Sequence, residues 1–232
     1  MALTYHGSNI VKVFNTGGSK VFEVKTPTYA FDVAYISDDN TLAVTLGYSG
    51  AKCITIIDIQ NKQIKKEISV ESNYYGIAMK DNTFICSAAE KGIQLVNPYN
   101  NSKINIVRQK YPMYCYIAHY DDTIYHTNYQ TNSVTCYDEH GKLQWTFKNE
   151  NVLTTAHGIS VDNDGNVYVV GQTSTNVVVL SADGQQHKEI LTASDGLTDP
   201  CSIDYCKSTN QLLVANCTKS AVIFTLVKIQ KT

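Results

Sequence analysis

Apolar residues along this chain fall into short runs separated by polar turns, and the runs themselves recur. Five segments align under one another: "AFDVAYI" (30–36), "YYGIAMK" (74–80), "YCYIAHY" (114–120), "AHGISVD" (156–162) and "PCSIDYC" (200–206), with starts spaced by roughly 40 to 44 residues. In each, Ile or Val follows a small or polar residue, or Tyr in the third. A polar turn comes next ("SDDN", "KDN", "DD", "NDGN", "KSTN"), then a second apolar run ("TLAVTL", "TFICSA", "TIYHTN", "VYVVGQ", "QLLVAN"). Another polar loop leads to a third run ("CITIIDI", "GIQLVN", "SVTCYD", "NVVVLS", "AVIFTL"), and four of the five units add a fourth ("IKKEISV", "KINIVR", "LQWTFK", "KEILTA"). Helical periodicity never persists for ten residues, which argues against an α/β fold.

Four short strands per forty-odd residues, repeated, predict the blades of a β-propeller. Runs such as "NVVVLS" lack strict alternation, as expected of a strand covered by a neighbouring sheet on both faces. The N-terminal runs "ALTYHG", "NIVKVFNTGG" and "KVFEVKT" match the second, third and fourth runs of a unit, and the chain ends after a third run. The expectation is an all-β, six-bladed β-propeller of four-stranded antiparallel blades. Residues 1–29 form a partial blade, and the repeats span 30–72, 73–112, 113–154, 155–199 and 200–232, in one domain. The incomplete terminal blades point to a piece of a longer protein or to unusual ring closure.

Composition changes the picture in three places. The 16 tyrosines, with many Val, Ile and Thr, favour strands. A net charge of −2 and a single arginine, Arg108, argue against phosphate neutralisation as the main task. The cysteine count of seven is odd, with no Cys-x-x-Cys pair, and several thiols sit in apolar runs, which fits free thiols in a reducing compartment. No stretch reads as a signal peptide or membrane span, so a cytoplasmic protein is expected.

The units resemble NHL repeats, and more closely the NHL-type propellers of tripartite-motif (TRIM) proteins. "AHGISVDNDGNVYVVGQTSTNVVVLSADGQ" (156–185) carries the resemblance, with "AFDVAYISDDNTLAVTL" (30–46) and "NQLLVANCTKSAVIFTLV" (210–227) following it more loosely. The loop before the third strand departs from the family, with Gln172 and Val177 where Asp and Arg are frequent. The resemblance implies a non-catalytic interaction domain that binds a protein partner, such as a substrate of an associated ubiquitin ligase, or in some members RNA. No zinc-ligand spacing of a RING or B-box occurs in the chain.

Candidate chemistry is sparse. "DNDGN" (162–166) is no calcium loop: with Gly165 sixth, the first position is Ser160 and the twelfth Gly171, where an acidic ligand is required. Cys115, His157 and Cys201 occupy matching positions on three repeats and are zinc-type ligands, yet small thiols there serve equally as core filler. No cofactor is expected. His157 and Asp32 are the acid–base candidates for a hydrolase or lactonase alternative. The expected contact surface is the face carrying the starts of the first strands, with Phe31, Asp32, Tyr74, Tyr75, Tyr114, Tyr116 and His157. The second-to-third loops, with Tyr48, Glu90, Lys91, Tyr129 and Gln130, share it. Single-stranded RNA, stacked on tyrosines, is the alternative ligand.

Overall fold

The computed structural model describes residues 1–4, 7–47, 50–217 and 220–226, so the expected contact residue Tyr48 lies outside the described residues. Six antiparallel sheets follow one another along the chain. The first contains β1 (Ala2–Thr4), β2 (Ile10–Phe14) and β3 (Lys20–Lys25). The second contains β4 (Val33–Ile36), β5 (Thr41–Thr45), β6 (Cys53–Asp58) and β7 (Gln63–Ser69). The third is built of β8 (Tyr74–Lys80), β9 (Thr83–Ala88), β10 (Gly92–Val96) and β11 (Lys103–Val107). The fourth holds β12 (Ile117–Tyr120), β13 (Thr123–Asn128), β14 (Ser133–Asp138) and β15 (Leu143–Lys148). The fifth comprises β16 (Ala156–Val161), β17 (Val167–Gly171), β18 (Asn176–Leu180) and β19 (His187–Leu191). The last has β20 (Pro200–Cys206), β21 (Gln211–Asn216) and β22 (Ala221–Thr225). Strands are paired in chain order within every sheet, so the expected six-bladed propeller is what the chain forms, with three strands in the first and last blades among the described residues. Among the described residues no helix is long and apolar enough to cross a membrane.

Contacts group the chain into two compact units, Met1–His126 with Tyr137–Lys142, and Thr127–Cys136 with Leu143–Thr232. In the first unit, the non-alternating apolar runs have a direct explanation. Leu42 and Val44 of β5, with Cys53 and Ile57 of β6, pack toward Val11 and Val24 of the first blade. Their neighbours Ala43, Ile54 and Ile56 pack the other way, onto Phe84, Cys86 and Ala88 of β9. One residue further along, Ile85 turns to a third cluster with Ile93, Ile117 and Tyr137. Each fully buried Val or Ile contributes about 1.5–3 kcal/mol, so successive residues serving two cores make the middle strands the most stabilising. The fourth strands are comparatively exposed, as in β7, where Ile68 alone is buried. In the second unit Tyr168, Val170 and Val177 pack on Ile203, Tyr205, Leu212 and Val214.

The polar turns between first and second strands supply backbone that few residues tolerate. Asn40, Asp81, Asp121 and Asn210 have φ between 48° and 57°, and Gly165 has φ 83°. Asn, Asp and Gly are the residue types that accept this left-handed region most readily. "DNDGN" is a turn organised by Asp162, which is 6% exposed. Its carboxylate accepts from Asp164 N (2.8 Å), Asn166 N (2.9 Å), Asn166 Nδ2 (2.9 Å) and the Tyr168 hydroxyl (3.0 Å). All of its acceptor capacity is spent inside the turn. Asp162→Ala strands four donors, three of them part-buried and the Tyr168 hydroxyl buried, and is expected to lower stability by about 2–4 kcal/mol. A urea titration shows this as a lowered midpoint at unchanged slope; an unshifted midpoint would contradict it.

Candidate functional site

In the first unit the chain runs into three successive blades through aromatic residues, and the structure brings most of them together. Phe31 precedes β4 and stacks on Tyr114, which precedes β12, with centroids 5.9 Å apart and planes inclined by 27°. Tyr75, at the start of β8, meets Phe31 edge-on at 5.2 Å and Tyr114 at 5.7 Å. Tyr116 lies 4.8 Å from Phe31. Local backbone produces this. Phe31 N donates to Thr45 O (2.8 Å), and Tyr114 sits at φ 60°, so β12 starts only at Ile117. A Cβ on Gly47 would lie 3.1 Å from Phe31 Cβ and 3.4 Å from the Tyr75 ring, so the backbone at Gly47 is pressed against the cluster.

Burial divides the expected tyrosine surface. Phe31 and Tyr114 are half-buried, whereas Tyr75 and Tyr116 are 0% and 9% exposed and form the floor beneath them. Tyr74 leaves the surface altogether: its ring belongs to the core against β9, and its hydroxyl donates to Gln94 Oε1. Burial pushes its phenol well above the usual range. The split falls at a bulge: Tyr74 pairs with Ala88 and Ile77 with Cys86, so Tyr75 and Gly76 stand where β9 has one residue, and Tyr75 lies outside the core cluster that Tyr74 and Ile77 share. Asp32 is a strap between blades: Oδ2 accepts from Ile77 N (3.0 Å) and Oδ1 from Val33 N (2.9 Å).

Cys115 is buried, donates to Pro112 O (3.3 Å), and burial pushes its thiol up to about 12. It remains a protonated core side chain. Among the described residues no group of three or more His, Cys, Asp and Glu is arranged to hold a metal ion.

In the second unit His157, half-buried near the start of β16, meets Tyr129 edge-on at 5.9 Å. Around these strand starts lies a polar network that sequence reasoning missed. Thr155 N donates to Asn132 Oδ1 (2.7 Å), and the Thr155 and Thr173 hydroxyls are 2.6 Å apart. Gln172 Nε2 donates to Asp199 Oδ1 (2.8 Å) and to Cys217 Sγ (3.6 Å). Gln172 and Cys217 are 45 residues apart, so only blade register brings them together. The one available signal was that Thr155 and Asp199 each stand four residues before the Ile of a repeat.

Glu90 and Lys91, expected on the contact face, line a surface pocket of about 250 Å³ in the first unit, with Asn105, Arg108, Gln109 and Lys110. Both acid–base pairs at its rim are satisfied, Lys110 with Glu90 at 2.7 Å and Lys91 with Glu71 at 3.2 Å. Gln130 is exposed.

A β-propeller repeat family (SBBP) matches residues 149–177, which hold β16 and β17 of the fifth blade and reach the first two residues of β18. No curated protein matches. A structural genomics protein of unknown function from Bacteroides thetaiotaomicron superposes with a TM-score of 0.74 at 14% identity, covering 92% of this chain and 63% of that one. The chain thus spans less than two thirds of that protein's length. A streptogramin B lyase superposes with a TM-score of 0.70 at 18% identity, over 98% of this chain and 79% of the lyase. A catalytically inactive virginiamycin B lyase from Staphylococcus aureus with quinupristin gives 0.66 at 17% identity, over 97% and 80%. These matches overturn the expectation that the chain is not an enzyme, because propellers superposing on nearly all of it are enzymes. Absence of a local catalytic motif was a poor ground for that exclusion: blades bring together residues from distant repeats. At identities below a fifth, the superpositions establish architecture: the chain has the fold of a six-bladed β-propeller.

Proposed function

We propose that the aromatic cluster at the strand starts of the first unit binds a peptide segment of a protein partner, through an aromatic or branched apolar side chain set against Phe31 and Tyr114. The observation that carries this reading is the stacked Phe31–Tyr114 pair, half-open above the buried rings of Tyr75 and Tyr116. Rigid rings on a fixed floor lose little side-chain freedom on binding, which is why aromatics dominate interface energetics. The small net charge and single arginine favour such a ligand over nucleic acid. The resemblance to NHL-type propellers supports a protein partner, including recruitment of a ubiquitination substrate, and seven cysteines outside any disulfide fit a cytoplasmic setting.

The informative variant is Tyr114→Asn. It removes the ring at a left-handed position that asparagine accepts more readily than tyrosine, so loss of binding is separated from loss of fold. Peptides selected from a displayed random library against the wild-type chain are expected to carry an aromatic or branched apolar anchor. They should bind the Tyr114→Asn chain at least about tenfold more weakly, a difference of roughly 1.4 kcal/mol. Equal binding to both chains, or single-stranded RNA competing the peptides off at low salt, would overturn the reading.

The lyase superpositions favour a second reading, turnover of quinupristin, the molecule present with one of those lyases. Both Asp32 oxygens already accept backbone N–H groups, which leaves His157 as the acid–base candidate of the original pair. Chromatography of quinupristin incubated with the chain decides it. A new product formed by the wild type and lost in His157→Ala supports turnover, and an unchanged substrate removes it.

A further inference from the structure

A pair of thiols in the last blade remains outside the proposed site. Register pairs Pro200 with Asn216 and Ser202 with Ala215, which leaves Cys201 as the extra residue of a bulge in β20. Its thiol leans across the ladder and donates to Ala215 O at 3.5 Å. Cys217 follows β21 directly, two residues beyond Ala215, and its N–H donates at 2.9 Å to the carbonyl of Asp199, two residues before Cys201. Gln172 Nε2 bridges Asp199 Oδ1 and Cys217 Sγ from the neighbouring blade of the same unit. Cys201 is half-buried and Cys217 exposed, so one thiol of the pair is open to a reagent and the other waits behind it.

We propose that Cys201 and Cys217 form a reversible disulfide by exchange with a low-molecular-weight disulfide. The Cys217 thiolate attacks one sulfur of the reagent, forming a mixed disulfide and releasing one thiolate. The Cys201 thiolate then attacks Cys217 Sγ, the mixed disulfide breaks, and the second small thiolate leaves. Two protein thiols are oxidised, the reagent is reduced to two thiols, and the protons of Cys201 and Cys217 end on the released thiolates or in solvent. The order of attack follows from exposure. The contact between the two thiols reinforces it by lowering Cys217 while raising Cys201. The bond would pin Cys217 to the start of β20, beside Gln172 and Asp199.

The test uses the full chain with Cys206→Ser, because Cys206 is a separate exposed thiol whose ionisation is drawn down to about 7 by hydrogen bonds from Ser208 and Thr209. The protein is incubated with oxidised glutathione, its remaining thiols are alkylated, and it is digested without reduction for mass spectrometry. Two thiols per chain should disappear, a Cys201–Cys217 cross-linked peptide should form without retained glutathione, and dithiothreitol should reverse both. Cys201→Ser should trap glutathione on Cys217, and Cys217→Ser should leave Cys201 reduced. A mixed disulfide persisting on Cys217 while Cys201 is intact, a cross-link to any other cysteine, or no reaction at all would overturn the proposal. Thermal melts of the reduced variants, matching the parent, show that the readout is chemical.

Discussion

Alanine at Gly76 is expected to cost the protein a large part of its stability. A Cβ there would lie 2.5 Å from Ile117 N and 2.7 Å from both Tyr116 C and Cα, all of them backbone atoms of the next blade. No rotamer change relieves such a clash. Nor can the strands separate freely, because Gly76 N donates to Cys115 O at 2.9 Å across the same gap. Inserting a methyl group into a packed core costs typically 1–3 kcal/mol, and a backbone-to-backbone clash belongs at or above the upper end, about 3 kcal/mol. For a domain of this size that corresponds to a melting temperature lower by roughly 6–12 °C. Gly158→Ala should behave alike in the second unit, where its Cβ would lie 2.6 Å from Ser202 Cα and 2.7 Å from Ile203 N. Gly50→Ala, with nothing within 4 Å of its Cβ, is the control and should melt as the wild type does. Gly76→Ala melting with the control would show that the blades do not approach as closely as described.

The same two glycines show how far the sequence could be read. They are the small residues before Ile in two repeats, and the recurrence that marked them also marked every blade, because hydrophobic runs and left-handed turn residues are dictated locally. What a position does within the repeat was less legible. Asp32 occupies the place of Gly76 and Gly158 and read as a binding residue. Its carboxylate instead reaches the next blade's Ile77 N, replacing close backbone approach with a hydrogen bond. Tyrosine suits both a core and a surface, so Tyr74 and Tyr114 looked equivalent until strand direction and the φ of 60° at Tyr114 separated them. Networks such as Gln172–Asp199–Cys217 depend on register between blades, which no local pattern encodes. The exclusion of enzyme chemistry failed for that same reason.

Acid should destabilise the fold well before its carboxylates protonate, through one histidine in a second run of a repeat. His126 of β13 is 1% exposed, with Nε2 3.0 Å from the Ser87 hydroxyl and its ring 4.1 Å from that of Tyr111. The Tyr111 hydroxyl in turn is 2.8 Å from that of Tyr137. These neighbours are uncharged, and burial pushes the imidazole down to about 3 from its ordinary value of 6.5. The folded protein therefore keeps His126 neutral at pH values where the unfolded chain protonates it. Stability is full above about pH 6.5 and falls as the pH drops toward 3, by at most about 1.4 kcal/mol per pH unit. Between pH 7 and pH 5, above the main carboxylate range, the loss from this residue amounts to about 2 kcal/mol. Urea titrations at the two pH values measure it. His126→Gln keeps a partner for Ser87 but cannot titrate, so its stability should change by about 2 kcal/mol less over the same interval. Parallel pH profiles for the two proteins would mean that His126 takes up its proton without unfolding, through an opening of the packing between Ser87 and Tyr111.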